Sequence, residues 1–91
     1  MISCDYGTVN PTSMGLWGKW GGVWYRVQEY YYDARAARRQ QTDQEYAQRL
    51  RELAGGREIE AVVVDPSAAS FLEVLRREGW HVRKADNEVL S

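Results

Sequence analysis

Residues 59–70 read IEAVVVDPSAAS and contain the clearest strand and helix signals of the chain. The run IEAVVVD is almost continuously apolar and rich in β-branched residues, which is typical of a strand that is covered on both faces. Such a strand lies inside a sheet and runs parallel to a neighbour. Pro66 suits the first position of a helix and Asp65 is a good N-cap, so a helix should follow directly. The stretch therefore predicts the strand-to-helix step of an α/β fold.

The sequence after this stretch predicts one helix and a last strand. Gly79 provides the C-terminal stop of the helix, and Trp80–Ala85 follows as the strand. The apolar stripe of this helix consists of Ala68, Phe71, Leu72 and Leu75.

An earlier helix is predicted before the central strand. Thr42 is followed three residues later by Glu45, which forms a capping box, so the helix should start at Thr42. Gly55 and Gly56 should end it. Its apolar side chains recur at i, i+4 and i+7, on Tyr46, Leu50 and Leu53.

The first third of the chain predicts three strands in a meander. ISCDYG (residues 2–7) is the first strand, and the turn GTVNP leads to a second strand over Ser13–Trp20. Gly21 and Gly22 form a hairpin turn before the long aromatic strand Val23–Tyr32. The complete order is βββαβαβ, which predicts a single α/β domain with helices packed on a mixed sheet.

Composition excludes several classes of protein. The chain has 91 residues, enough for one small domain, and 12 Lys and Arg against 13 Asp and Glu give a net charge of -1. No global basic field therefore indicates a nucleic-acid or membrane partner, and such a site must be local. One cysteine excludes an internal disulfide and favours a reducing, intracellular compartment, and no apolar run is long enough to cross a membrane. The four Trp and six Tyr are expected to fill the core.

Two carboxylates are the strongest candidates for chemistry. Asp5 ends or nearly ends the first strand, and Asp65 ends the fourth. If these strands are parallel neighbours, both carboxylates lie at one edge of the sheet, where like charges repel unless one is protonated or a cation lies between them. Carboxylate oxygens suit Mg²⁺ or Mn²⁺, and such ions activate water in phosphodiesterases. The simpler alternatives are helix capping by Asp65 and an Asx-turn at Asp5.

Other polar residues receive weaker interpretations. Arg35, Arg38 and Arg39 form a local basic cluster that can meet DNA phosphates or can be a solvated arm. Glu29 is expected to face solvent, and Glu45 is explained by its capping box. The single Cys4 and the single His81 have no evident orienting acid, so we do not expect a Cys-His nucleophile; Cys4 should be a small buried side chain.

Four segments carry a family resemblance: ISCDYGTVNPTSMGLW, VWYRVQEYYYD, RRQQTDQEY and IEAVVVDPSAASFLEVLRREG. They resemble the nuclease domain of the large terminase subunit of tailed bacteriophages, over essentially the whole chain. The resemblance implies a ribonuclease H-like fold and an endonuclease that depends on Mg²⁺ or Mn²⁺ and cuts concatemeric viral DNA during packaging. The family's acids on the first and fourth strands fall on Asp5 and Asp65. Double-stranded DNA, the phage portal and the small terminase subunit are the implied partners, in the cytoplasm of the bacterial host.

The chain departs from the family pattern near its end. The remaining acidic ligand of the family comes from a helix after the segment that begins here as ADNEVLS, whereas the sequence stops at Ser91. No G-x-x-x-x-G-K-[ST] loop of a packaging ATPase occurs either. The resemblance therefore implies a C-terminally truncated nuclease domain with weak or no activity. Loss of that helix should uncover apolar surface behind Val62, Val64 and Val82, so self-association is expected.

Two further functions stay open. The tetrapeptide D-Y-G-T (residues 5–8) resembles the phosphate-binding turn D-x-G-T of actin-like and sugar-kinase ATPases. Those ATPases also need a second phosphate loop and an adenosine site, for which this chain has no room. The other alternative is a non-catalytic prophage remnant that only binds protein partners, which the missing acidic ligand favours.

Overall fold

A computed structural model describes residues 1–7 and 11–85, which form one five-stranded sheet with three helices. The chain folds in the order β1 (Ile2–Asp5), β2 (Thr12–Trp20), β3 (Val23–Tyr32), α1 (Ala34–Ala37), α2 (Asp43–Ala54), β4 (Val62–Val64), α3 (Ala69–Arg77) and β5 (Val82–Lys84). The spatial order of the strands is β3-β2-β1-β4-β5. The mixed α/β sheet predicted from the sequence is therefore confirmed, with one additional short helix.

The meander of β1, β2 and β3 is antiparallel throughout. Its hairpin turn lies at Gly21 and Gly22, whose φ angles of 57° and 81° suit glycine because L side chains rarely adopt positive φ. The predicted bounds of β3 are confirmed, whereas β1 ends at Asp5, two residues early. Residues 8–10 of the predicted GTVNP turn lie outside the described residues.

The central pair of the sheet is parallel, as the apolar run in β4 predicted. Cys4 of β1 lies opposite Val64 of β4, and β5 continues the parallel pairing on the other side. Because α2 lies between β3 and β4 in the sequence, a helical crossover returns the chain to the edge of β1. The expectation that the first and fourth strands are parallel neighbours is confirmed.

The capping box fixes the start of α2 where the sequence predicted it. The Thr42 hydroxyl oxygen accepts the Glu45 N–H at 3.1 Å, and the Glu45 carboxylate accepts the Thr42 N–H at 3.2 Å. At the other end Gly55 has a φ of 59° and satisfies a carbonyl of the last turn. The side chains of Tyr46, Leu50 and Leu53 are buried, so the predicted apolar stripe of α2 is confirmed.

The start of α3 differs from the prediction. The helix begins at Ala69 with Ala68 as its N-cap residue, so neither Pro66 in the first turn nor capping by Asp65 is correct. Asp65 instead organises a turn, because its Oδ1 accepts the Ser67 N–H and its carbonyl accepts the Ala68 N–H at 3.0 Å. This turn delays the helix by about one turn and leaves Asp65 close to the end of β4.

Helices α2 and α3 pack on one face of the sheet, which we call the covered face. Alternate strand residues point into this core, because successive side chains of a strand alternate between faces. The strand residues of the core are Ile2, Cys4, Met14, Leu16, Val62 and Val64, and the helices add Tyr46, Leu50, Phe71, Leu72 and Leu75.

The opposite face, which we call the open face, has no helix packed on it among residues 1–7 and 11–85. Val63 points to this face and is only half-buried, so the prediction that its strand is covered on both faces is wrong for the described chain. Val62 and Val64 are fully buried by the helices, and Val82 packs partly against the core. Val62 and Val64 therefore do not themselves present apolar surface, and the self-association expected from a missing helix stays a prediction.

The aromatic residues divide between the core and the β2–β3 hairpin. Tyr46 is 1% exposed, whereas Trp20, Trp24, Tyr25 and Tyr31 are 42–61% exposed. Strand β3 is an edge strand, so side chains on this hairpin have few neighbours to pack against. The prediction that the aromatic residues fill the core is wrong for this hairpin.

Candidate metal centre

Asp5 and Asp65 lie next to each other in the register of the two central parallel strands. The last aligned pair of β1 and β4 is Cys4 with Val64, and each aspartate is the next residue along the chain: Asp5 is the last residue of β1, and Asp65 directly follows β4. Neighbouring strands are about 4.8 Å apart, so the two backbones are adjacent at this end of the sheet. Both aspartates line one open cavity of about 400 Å³, which brings the two carboxylates to a common site.

The cavity lies on the open face. Its floor is made of short side chains of β1 and β2, which leave the sheet surface accessible between the two aspartates and β3. The lining residues that point to this face are Ser3, Asp5, Ser13, Gly15, Arg26, Glu29, Val63, Asp65 and Ala85. The site is therefore an open depression on the sheet surface that contains three carboxylates and one guanidinium.

Asp65 is held by the residues that follow it. The Ser67 N–H donates to Asp65 Oδ1 at 2.8 Å, and the Ser67 hydroxyl donates to the same oxygen at 2.7 Å. These hydrogen bonds stabilise the carboxylate and lower the pKa of Asp65 below its usual value, the backbone contact contributing most. Both contacts use Oδ1, so Oδ2 accepts no hydrogen bond from the described part of the chain. An ionised carboxylate with one oxygen available is suited to a cation.

Asp5 has a different environment. Its side chain is exposed, and its carboxylate accepts no hydrogen bond from residues 1–7 or 11–85. Within these residues nothing supports the Asx-turn interpretation. The turn is closed instead by Thr12, whose Oγ1 accepts the Gly7 N–H at 3.0 Å and donates to the Gly7 carbonyl at 3.2 Å. Asp5 is therefore available to a ligand in the cavity.

Tyr6 anchors the chain directly after Asp5, a role that the sequence did not suggest. Its ring stacks on Phe71 with centroids 4.8 Å apart, and its hydroxyl donates to the Asp43 carboxylate. Burial, followed by the contact with Asp43, raises the pKa of the Tyr6 hydroxyl, which therefore stays protonated. These contacts fasten the end of β1 to α2 and α3.

The donor set fits a hard divalent cation. Among residues 1–7 and 11–85 no group of three His, Cys, Asp or Glu side chains is placed to hold a metal. Two carboxylates with water in the remaining positions are nevertheless an ordinary ligand set for Mg²⁺, which retains several waters in proteins, and Mn²⁺ accepts the same oxygen ligands. The segment ADNEVLS, after which the resemblance places a further ligand, lies outside the described residues apart from Ala85.

Glu29 and Arg26 lie on the β3 side of the same cavity. The Arg26 guanidinium contacts the Glu29 carboxylate at 2.9 Å, and both side chains are about half exposed. Glu29 faces solvent as expected, but it also lines the site. Arg26 was not singled out from the sequence, because a bulge between Leu16 and Trp17 shifts the register of β3 and is not visible in the residue pattern.

The basic cluster lies beside the cavity but does not line it. Strand β3 runs in the same direction as β1, so α1 and the residues after it lie at the same end of the sheet as Asp5. Asp33 caps this short helix, and Arg38 adopts a φ of 56° at its end. Arg39 contacts the Glu45 carboxylate at 2.6 Å, so Glu45 has this ion pair in addition to its capping role. Arg35 and Arg38 are exposed.

Cys4 and His81 are not a nucleophilic pair. Cys4 points into the covered face, and burial raises its pKa to about 12, which keeps the thiol protonated at neutral pH. His81 is exposed, and its carbonyl accepts the Val62 N–H at 2.8 Å. The expected role of Cys4 as a small buried side chain is confirmed.

Within the described residues, no helix is long and apolar enough to cross a membrane. No protein-family model matches the chain, and no curated protein matches it.

Solved structures of one protein match the chain closely. The large terminase of a thermophilic bacteriophage is 53% identical to it, with a TM-score of 0.91 in one crystal form and 0.92 in a complex with ADP. A complex of the same protein with ATP-γ-S also gives 0.92. Each match covers 98% of this chain and 23% of the terminase. Over nearly its whole length, therefore, the chain is related in sequence and fold to a segment that makes up about a quarter of a bacteriophage large terminase.

Proposed function

We propose that this chain is part of the nuclease domain of a phage large terminase and that its chemistry is metal-dependent cleavage of double-stranded DNA. The observation that carries the proposal is the common cavity of Asp5 and Asp65 at adjacent ends of parallel strands. The similarity to a large terminase supports the same class of substrate. A ribonuclease H-like sheet, contacts with the portal and the small terminase subunit, and a place in the host cytoplasm belong to this proposal.

Asp5 and Asp65 are the residues that hold Mg²⁺ or Mn²⁺. When bound, such an ion polarises a phosphate and lowers the pKa of a water molecule. The hydrogen bonds from Ser67 favour the ionised form of Asp65, and Asp5 is accessible from the open face. Because the helices lie on the other face, the sheet surface around both acids can receive a DNA backbone without rearrangement of the core. Arg35, Arg38 and Arg39 place positive charge for DNA phosphates at the same end of the sheet.

We expect the activity of the 91-residue chain to be weak. Two carboxylates leave most of the coordination sphere of the metal to water, and catalysis falls steeply when reacting groups are misplaced. This limited donor set also favours the competing function, a remnant that binds protein partners without cutting DNA. The D-x-G-T phosphate turn has no comparable support, because its Thr8 lies outside the described residues and the similar protein is a terminase.

The test is nicking of supercoiled plasmid in Mn²⁺. We expect slow nicking by the unaltered chain that EDTA abolishes, and a fall to background for D5N and for D65N. The matched control is E73Q, since Glu73 is an exposed acid on α3 that contacts Arg77 at 3.1 Å, away from the cavity. The control should nick at the unaltered rate.

Two results contradict the proposal. Nicking that survives in both aspartate variants shows that the activity comes from another site or from a contaminant. Absence of nicking together with absence of Mn²⁺ binding supports the non-catalytic remnant.

A further inference from the structure

Arg26 is the one cation among the described residues that line the cavity of Asp5 and Asp65. Its guanidinium carbon lies 5.0 Å from the centroid of the Trp17 ring, and its Nη1 lies 2.9 Å from Glu29 Oε2. An exposed arginine ordinarily samples many conformers, and contacts with a ring and a carboxylate restrict it. Arg26 is thus a cation held in place inside an otherwise acidic depression.

The Trp17 ring that supports Arg26 is itself fixed to the sheet. Its Nε1–H donates to Ser3 Oγ at 2.9 Å, and Ser3 lies two residues before Asp5 on β1. A Cβ at Gly15 would lie 2.9 Å from the same indole nitrogen, so the ring lies against the strand where a side chain is missing. A continuous set of contacts therefore runs from the strand that carries Asp5 through Trp17 to Arg26.

We propose that Arg26 is a phosphate-binding residue of this site and holds the DNA strand that enters the cavity. The proposal rests on the function proposed above and names the contact that orients its substrate. A guanidinium presents paired N–H donors that match two phosphate oxygens, and the Trp17 ring keeps that fork directed toward the cavity. The acids alone would repel a polyanion, and Arg26 provides the compensating charge within the same cavity.

In the absence of a phosphate, the Arg26 guanidinium is paired with the Glu29 carboxylate, which a phosphate would replace. The ion pair is exposed on both sides, with side-chain exposures of 51% and 43%, and exposed pairs of this type add little stability. A phosphate can therefore displace the carboxylate at low cost. The Glu29 charge then opposes the bound phosphate, so removing this charge should strengthen binding.

The test measures binding of the 91-residue chain to a fluorescently labelled DNA duplex by anisotropy, in EDTA and over a range of salt concentrations. We expect R26Q to weaken binding about fivefold to tenfold, as for loss of a charge-assisted contact, and to reduce the salt slope by about 0.9. R26K keeps the positive charge but not the paired N–H donors, so its DNA affinity should lie between those of R26Q and the unaltered chain. E29Q should bind more tightly than the unaltered chain.

The matched control is R49Q. Arg49 contacts Glu52 at 3.0 Å with the same i,i+3 spacing, but it lies on α2, on the other side of the sheet from the cavity. Its loss should leave binding and salt slope unchanged. Melting temperatures of all variants test whether the sheet is intact. If R26Q does not fold, W17F is compared with the unaltered chain instead; it retains a ring but loses the contact with Ser3, and it should weaken DNA binding.

Equal weakening by R26Q and R49Q overturns the proposal, because the effect would then be one of net charge. Absence of DNA binding by the unaltered chain also overturns it. Failure of the nuclease proposal alone gives a different result. D5N and D65N would then nick plasmid at the unaltered rate, whereas R26Q would still weaken DNA binding in EDTA.

Discussion

The two faces of the sheet are built from alternate residues of the same strands, yet they have opposite properties. On the covered face, Cys4 and Val64 are buried under α2 and α3. The next residues along the chain, Asp5 and Asp65, line the cavity. Because a strand places successive side chains on opposite faces, a buried core and an accessible polar site can share a backbone. The core fixes the positions of the acids without contributing to their chemistry.

The largest effect should come from shortening a side chain of the covered face. V64A removes two methyl groups from a fully buried position, and we expect a loss of about 2 kcal/mol in the free energy of unfolding. V63A makes the same chemical change on the open face, where the side chain is half-buried, and should cost less than about 1 kcal/mol. Urea unfolding of both variants measures the difference. Equal losses of unfolding free energy in V64A and V63A would show that side chains on the open face are buried to the same degree as those on the covered face.

The smallest effect on stability should come from D5N. Asp5 is exposed and accepts no hydrogen bond from the described residues, and its charge lies beside that of Asp65. Removal of one of two like charges should leave the melting temperature in EDTA unchanged or slightly raised. A clear fall would mean that the Asp5 carboxylate is a structural acceptor, and the division of roles between the faces would then be incorrect at this residue.

Local signals in the sequence predicted the parts of the fold that depend on local contacts. The Thr42 and Glu45 capping box and the Gly21-Gly22 turn each act within a few residues, so α2 and β3 begin as predicted. The start of α3 was missed because the Asp65 carboxylate folds back on Ser67, which competes with helix capping. An aspartate in the sequence D-P-S can cap a helix or can form a turn with the serine, and the residues alone do not decide between these two roles.

The site could be predicted only in part for a related reason. Asp5 and Asp65 were identifiable because each ends an apolar strand and the strands are parallel. Arg26 reaches the cavity only through the strand pairing and the bulge after Leu16, which depend on residues distant in sequence. Burial of β4 on both faces was inferred from the apolar run IEAVVVD, but such a run does not distinguish a covered face from one that borders an open cavity.

A titration of the amide spectrum with Mn²⁺, whose unpaired electrons broaden signals near the ion, tests directly whether Asp5 and Asp65 form a metal centre. We expect broadening to start at Asp5, Asp65 and their neighbours Ser3 and Val63, and residues of α2 such as Arg49 to be unaffected. D5N and D65N should each weaken this response, whereas E73Q should not. Broadening that begins elsewhere, or that is unchanged in both aspartate variants, would contradict a metal centre on the open face.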